Sequence, residues 1–289
     1  MEYLFLIAAM TSSAMLSIMS SLFGKLSDNK KNTSFLYSAV VTFSAFIAWG
    51  IICLLESAIN FKVWAYSIVY GISYTIAMIG MFKAYQVGSV SLTAFVKQLS
   101  LIAVALWGFV FWNNSLTATI LSGIGLIIIA LYLCFKPEKE SKSTSVSLKW
   151  LLYAAMLLVG NAGCSIIQKY QQLAFDGNYG NSMMFIASAI AFLISLTLYL
   201  KDDGCKIKEI KKGLLICPAI GGISSAALNL FILLLLSSPL SESIIFPGIA
   251  IGGLVITMIF SVIVYKETLR FHQWCGLFIG TIALILLNL

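Results

Sequence analysis

The sequence predicts an all-α integral membrane protein, with ten transmembrane helices built as two inverted five-helix repeats. Three observations lead there. Of the 289 residues, 60% are hydrophobic and only 10% charged, whereas a soluble domain carries roughly 25% charged residues; mean hydropathy is +0.99. Charge-free runs long enough to cross a bilayer, about 20 residues each, recur along the whole chain. The sequence also matches itself at a displacement of 153 positions. A β-barrel would show short alternating segments instead, and none is visible.

Taken in order, the predicted spans are 3–24, 35–55, 63–86, 89–111, 118–135, 149–170, 179–200, 213–236, 241–265 and 271–288. The run 98–135 is too long for one helix and breaks at Asn113-Asn114-Ser115, which reads as a tight turn. The run from 213 ends at Ser237-Ser238-Pro239. The first run lacks a basic leader and a small-residue cleavage site, so it reads as a span and not as a cleavable signal. Cys53, Cys134, Cys164, Cys205, Cys217 and Cys275 are scattered without a CxxC, which points to neither a disulfide framework nor a metal site.

Basic residues are shared unevenly between alternate loops. One set holds Lys25, Lys30, Lys31, Lys83, Lys136, Lys139, Lys142, Lys149, Lys201, Lys206, Lys208, Lys211, Lys212, Lys266 and Arg270; the other holds only Lys62 and Lys169. The positive-inside rule puts the first set in the cytoplasm, which leaves both termini outside and places the protein in the plasma membrane. The net charge of +7 then reflects topology and not a nucleic-acid partner.

The internal match lays SLTATILSGIGLIIIAL (115–131) over TLRFHQWCGLFIGTIAL (268–284), with Gly123 on Gly276 and Asn114 on Glu267. With a different gap, SSLFGK (20–25) lies beside CSIIQK (164–169), each ending in a lysine. The chain thus divides into a first repeat, 1–136, a hydrophilic linker, 137–148, and a second repeat, 149–289. Five is odd, so the second copy enters the membrane from the opposite side, as in many secondary transporters.

This architecture, closed by YKETLRFHQWCGLFIGTIALILL, resembles the drug/metabolite transporter superfamily, EamA type. There a short acidic turn precedes a Gly-rich final helix in each half. Glu267, Gly276 and Gly280 fit that pattern; in the first half Asn114 stands for the acid, with Gly123 and Gly125 following. The resemblance implies transport of small metabolites without ATP hydrolysis. The orientation departs from it, because such members usually keep both termini in the cytoplasm. Small multidrug-resistance relatives use a glutamate in their first helix to export cations, and neither 3–24 nor 149–170 contains an acid.

The candidate site centres on LTAFVKQLSL (92–101), where Lys97 and Gln98 interrupt an apolar run. Ser89, Thr93, Lys97 and Ser100 share one helical face. Lys97 lies about 12 Å into its span at 1.5 Å per residue, where a charge costs from about 2.5 to well over 10 kcal/mol. Three readings of it are open. It meets an anionic group of a substrate or carries a coupling proton; it pairs with a carboxylate or carbonyls to fix the bundle; or it snorkels to the cytoplasmic interface. The displacement of 153 carries the stripe onto Glu242, Phe246, Ala250 and Gly253 in the ninth span, beside Pro247 and Gly248. Those two weaken a helix and mark a candidate hinge at a midplane site.

The expected substrate-binding set is Lys97, Gln98, Thr93, Ser100, Tyr74, Asn229, Ala250 and Phe246, between the third, fourth, eighth and ninth spans. Tyr66, Tyr70 and Tyr74 form a stripe on the third span that could line a pocket or pack the core. Asn161, Ser224 and Ser225 are further intramembrane polar positions, and Trp107 and Trp112 read as interface residues. Lys25 and Lys169 read as interfacial anchors. GIAIG (248–252) and GLFIG (276–280) allow close helix packing, inside the bundle or in a homodimer. Glu267 reads as a turn and capping residue.

No P-loop, HExxH or GxSxG motif is present, so no enzyme, catalytic residue, cofactor or metal is expected. The expected partners are a small anionic or zwitterionic substrate, a coupling proton or ion, and the bilayer, with the chain a monomer or homodimer. Two other functions stay open: a translocator of a phosphate-bearing lipid, and a non-transporting membrane protein.

Overall fold

A computed structural model describes residues 2–27, 33–56, 59–112, 117–135, 147–202, 210, 212–236, 240, 242–267 and 269–286. The predicted turns at Asn113–Ser115 and Ser237–Pro239, Cys205 and nearly all of the linker lie outside these residues, as do the side chains of Cys134, Glu242 and Pro247.

The described residues form α-helices joined by short connections, with two 3-10 turns and no strand. The helices are α1 (Glu2–Leu26), α2 (Ser34–Glu56), α3 (Trp64–Val87), α4 (Val90–Gln98), α5 (Ser100–Phe111), α6 (Ala118–Phe135), α7 (Leu148–Ala174), α8 (Gly180–Lys201), α9 (Ile216–Leu236), α10 (Glu242–Tyr265) and α11 (Phe271–Leu286). Among the described residues seven segments are long and apolar enough to cross a membrane. Leu54, Leu55, Val110, Ile263 and Phe278 are among many large apolar side chains left exposed. Such a surface would aggregate in water and is at home against lipid. The chain is a multi-pass all-α membrane protein.

Among the described residues a helix overlaps each predicted span, but the fourth is not the single helix expected over 89–111. It breaks at Leu99 into α4 and α5. No glycine or proline causes this. The Leu99 amide is shared between the carbonyls of Phe95 (3.3 Å) and Val96 (3.1 Å), which tightens the last turn of α4. The Lys97 carbonyl is meanwhile claimed by Ser100 Oγ at 2.8 Å and Asn161 Nδ2 at 3.4 Å. Side-chain donors of this kind compete with the helical ladder. Conversely, α10 runs unbroken through Pro247 and Gly248, the expected hinge.

Lipid is as apolar as leucine, so helices associate through close packing and hydrogen bonds. α3 packs along α7 and α1 along α9; α2 lies against α8; α3 also touches α8, and α2 touches α9. On the other side α10 packs on α1 and α4, α5 on α7, and α6 on α11. Small residues set the spacing. A Cβ at Gly80 would lie 2.6 Å from the Leu157 amide of α7, and one at Gly160 would lie 2.5 Å from the Ala77 amide of α3. Buried hydroxyl pairs then lock the contacts, such as Ser38 Oγ to Ser195 Oγ at 2.8 Å between α2 and α8. Both GxxxG patterns face neighbours within the chain: Gly248 and Gly252 meet Leu6 and Met10 of α1, and Gly280 meets Phe95 of α4.

The α3–α7 contact gives a direct test. Gly160→Ala forces backbone against backbone and should cost about 1–3 kcal/mol, read as a lower unfolding temperature of the detergent-purified protein. Gly125→Ala on α6, where an added Cβ meets nothing within 4 Å, should leave that temperature unchanged or slightly raised. Equal behaviour of the two variants would refute the close-packing account.

Candidate functional site

α4 is nine residues long, and both of its ends are held by chemistry the bilayer cannot supply. At its start Ser89 accepts from the Leu92 amide at 3.2 Å, a standard N-cap. Above it sits a carboxylate from the other half of the chain. Glu267 Oε1 accepts from the Val90 amide at 3.1 Å, and Oε2 accepts from the Ser91 amide at 3.3 Å and from Ser91 Oγ at 2.9 Å. Ser261 Oγ donates to the same oxygen and pairs with Ser91 Oγ at 2.8 Å. Lys266 immediately before takes a left-handed φ of 50°, which ends α10 and turns Glu267 back toward α4. A negative charge at a helix start complements the backbone dipole. Glu267 therefore does more than cap its own turn: it ties the α10–α11 connection to the N-terminus of α4.

At the other end stands Lys97. It is only 7% exposed, and it reaches sideways to α1, where Nζ donates to Ser13 Oγ and Ser17 Oγ, both at 3.4 Å. Those serines are about halfway along α1, so the ammonium does not snorkel to the surface. No carboxylate among the described residues lies within ion-pair distance of it. Two long contacts to neutral hydroxyls leave the positive charge undercompensated. What remains is the C-terminal end of α4, whose partial negative charge favours a cation.

The expected polar stripe divides between two neighbours. Thr93 is turned toward α7, where it accepts from Trp150 Nε1 at 3.0 Å. Ser100 accepts from Asn161 Nδ2 at 2.7 Å, also on α7. Gln98 is buried beside them. On α10, Ala250 is buried and Phe246 half-buried. The space offered by small residues there is taken up by α1: a Cβ at Gly253 would lie 2.9 Å from Ser13 Oγ. Lys97 is therefore bracketed by α1 and α7 as well as by α10.

Tyr74 and Asn229 belong to a second group. Tyr74 Oη donates to Ser225 Oγ at 2.8 Å, and both line a narrow cavity between α2, α3, α8 and α9 together with Trp49, Tyr70, Ser188 and Asn229. Lys97 is not part of its lining. Elsewhere in the bundle, Ser20 of α1 bonds to the Tyr37 hydroxyl of α2. The expected site residues thus form two polar centres within one bundle.

Sequence reasoning passed over Ser13, Ser17 and Ser20, although their spacing of four and three residues on α1 is a helical stripe. Trp49 and Ser188 carried no comparable signal.

No family model matches the chain, and no curated protein matches it. Among solved structures, one described only as "Crystal structure of protein" shares the fold, with a TM-score of 0.64 at 10% identity over 99% of this chain and 95% of that one. Identity this low speaks for the fold alone.

Replacing Glu267 by alanine should free the first turn of α4. The buried donors of Val90, Ser91 and Ser261 would lose their shared acceptor, at a cost of about 1–3 kcal/mol for each one left unsatisfied. Hydrogen exchange at Val90–Thr93 should accelerate at least about tenfold, while exchange within α8 stays as it was. Unchanged protection at Val90–Thr93 would show that the carboxylate is dispensable.

Proposed function

We propose that the chain is a secondary transporter that moves a small anionic or zwitterionic metabolite by alternating access. The observation that carries this reading is Lys97: a cation buried halfway through the bundle, at the end of a broken helix, with two weak hydroxyl contacts and no carboxylate among the described residues. A permanent structural lysine would be expected to have an acid beside it, because an unpaired buried charge is strongly destabilising. An anionic group that arrives and leaves satisfies the charge only part of the time, as transport requires. Discontinuous helices at intramembrane sites are common in such proteins.

The reading includes ten spans in two inverted repeats, α1–α6 and α7–α11, with α4 and α5 forming one span. What supports the duplication is the symmetry of the packing. Exchanging the halves turns α3 on α7 into α9 on α1, α3 on α8 into α9 on α2, and α10 on α1 into the α4 and α5 contacts with α7. The pairs α2 with α8, α6 with α11 and α4 with α10 map onto themselves. The internal sequence match at 115–131 and 268–284 is in the same register. The resemblance to the drug/metabolite transporters of EamA type agrees with this architecture and with transport driven without ATP. The basic loops then face the cytoplasm of the cell whose plasma membrane holds the protein, and Glu267 closes that end.

The test is uptake into proteoliposomes. Small metabolites are screened for thermal stabilisation of the purified protein, and flux of the hits is compared in wild type and Lys97→Ala. Binding and flux of carboxylate- or phosphate-bearing hits should both fall at least about tenfold in the folded variant. Lys97→Arg, which keeps the charge, should retain measurable binding. If Lys97→Ala transports every hit at the wild-type rate, Lys97 is not a substrate contact.

A further inference from the structure

Asn161 stands where α7 meets two neighbours at once. Gly160 and Gly163 press this stretch of α7 onto α3: an added Cβ would lie 2.7 Å from the Ser73 carbonyl at the first and 2.8 Å from Ser73 Oγ at the second. Asn161, between them in sequence, reaches instead to the joint of α4 and α5. Its Nδ2 donates to Ser100 Oγ at 2.7 Å and to the Lys97 carbonyl at 3.4 Å. Ser100 Oγ in turn donates to the same carbonyl at 2.8 Å. In an unbroken helix that carbonyl would accept from the amide four residues on, that of Leu101.

The serine alone does not break the helix. Ser188 Oγ donates to the Phe185 carbonyl at 2.9 Å, Ser122 Oγ to that of Thr119 at 2.8 Å and Ser21 Oγ to that of Ile18 at 2.9 Å, each three residues back as at Ser100. α8, α6 and α1 run unbroken through all three. What distinguishes Ser100 is a second donor, from another helix, on the same carbonyl, and such donors compete with the ladder. The turn is tightened at Leu99, and in a tightened turn residues three apart stand over one another. Ser100, with Asn161 attached, therefore lies over Lys97 and occupies its α7 side. The ammonium is left with α1, where Ser13 and Ser17 receive it at 3.4 Å.

We propose that Asn161 is a positioning residue for Lys97: by holding the Lys97 carbonyl it keeps the fourth span broken at Leu99 and directs the ammonium onto α1. Withdrawal of Asn161 returns the carbonyl to the Leu101 amide and closes the helix. The part this plays in transport rests on Lys97 being a substrate contact; the break and the direction of the ammonium do not. The match of SSLFGK with CSIIQK, carried three residues back, pairs Asn161 with Ser17. Lys97 is thus held by its side chain from one half and by its carbonyl from the matching position of the other. A movement of either half changes the hold on it.

The experiment is hydrogen exchange on the purified full chain, resolved at the Leu101 amide, in wild type and Asn161→Leu. The variant should slow exchange there at least about fivefold, because the ladder closes. An asparagine that merely glued α7 to α5 would give the opposite sign, since its loss would loosen the contact and speed exchange. Asn161→Gln, which keeps the amide donor, should stay within about twofold of wild type. A thermal double-mutant cycle follows the ammonium. Ser13→Ala with Ser17→Ala should lower the unfolding temperature of the wild type and have under about half that effect beside Asn161→Leu. Asn161→Ala repeats both measurements where the leucine variant does not fold. Three results overturn the assignment: exchange at Leu101 that is unchanged or faster without the asparagine, exchange that slows in Ser100→Ala but not in Asn161→Leu, or an equal serine effect in both backgrounds. Neither readout uses a substrate. If both come out as expected while Lys97→Ala transports every hit at the wild-type rate, only the transport reading falls. Lys97-dependent flux with unchanged Leu101 exchange removes only the positioning role.

Discussion

One short helix under opposite charges at its two ends constrains the rest of this bundle. α4 has a carboxylate at its start and an ammonium in its last turn. Both charges suit the helix dipole, yet neither is stable alone inside a bilayer. The carboxylate is stabilised by four donors, two of them backbone amides at the start of α4. The ammonium has only Ser13 and Ser17. The strong end fixes α4 in place, and the weak end leaves a charge to be answered by something else. Close packing elsewhere serves this arrangement. α1 comes near enough to offer its serines because α10 presents Gly252 and Gly253 to it. α7 comes near enough to hold Thr93 and Ser100 from its own side, through Trp150 and Asn161.

The parts legible in the sequence were those decided by local chemistry. Positions of the helices followed from where charge is missing, because lipid excludes charge residue by residue. Lys97, Tyr74 and Asn229 stood out because a polar side chain within an apolar run is costly and so calls for a reason. The parts that escaped were decided through space. The break at Leu99 has no glycine or proline; it accompanies a claim on the Lys97 carbonyl that comes partly from Asn161, 64 residues away. The expected interruption at Pro247 and Gly248 is absent from α10: Pro247, its sixth residue, gives up one ladder bond, yet the helix runs on through it. Glu267 was visible as a turn residue, but its acceptance of the Val90 amide joins positions 177 apart. The serines of α1 could have been found from their spacing, and were masked by the common use of serine as simple helix glue.

The two halves, matched under the proposed duplication, differ at the positions that matter most. Lys97 corresponds to Ala250 and Glu267 to Asn114, so both charges fall on α4 and neither has a charged counterpart in the other half. The lysines that end α1 and α7 also behave differently. Lys25 Nζ donates to the Gly88 carbonyl at 3.1 Å, next to the start of α4. Lys169 Nζ lies 5.0 Å from the ring centroid of Trp112, whose neighbour Tyr170 accepts from Trp107 Nε1 at 3.2 Å. One end of the bundle is therefore fastened by a carboxylate on amide hydrogens, and the other by a cation over the Trp112 ring.

That asymmetry bears on the alternating-access cycle proposed above. Two conformations of a transporter built from repeats are close in energy only if the contacts broken at one end are matched by those formed at the other. Contacts of different chemistry match only within a limited range of conditions. A carboxylate on backbone amides is held by four directional hydrogen bonds that must break together to free the start of α4, whereas a cation over an aromatic ring is held without them. Under the proposed duplication a symmetric pair of latches would carry no such difference, so Asn114 at the position matching Glu267 bears on which of the two proposed conformations is favoured.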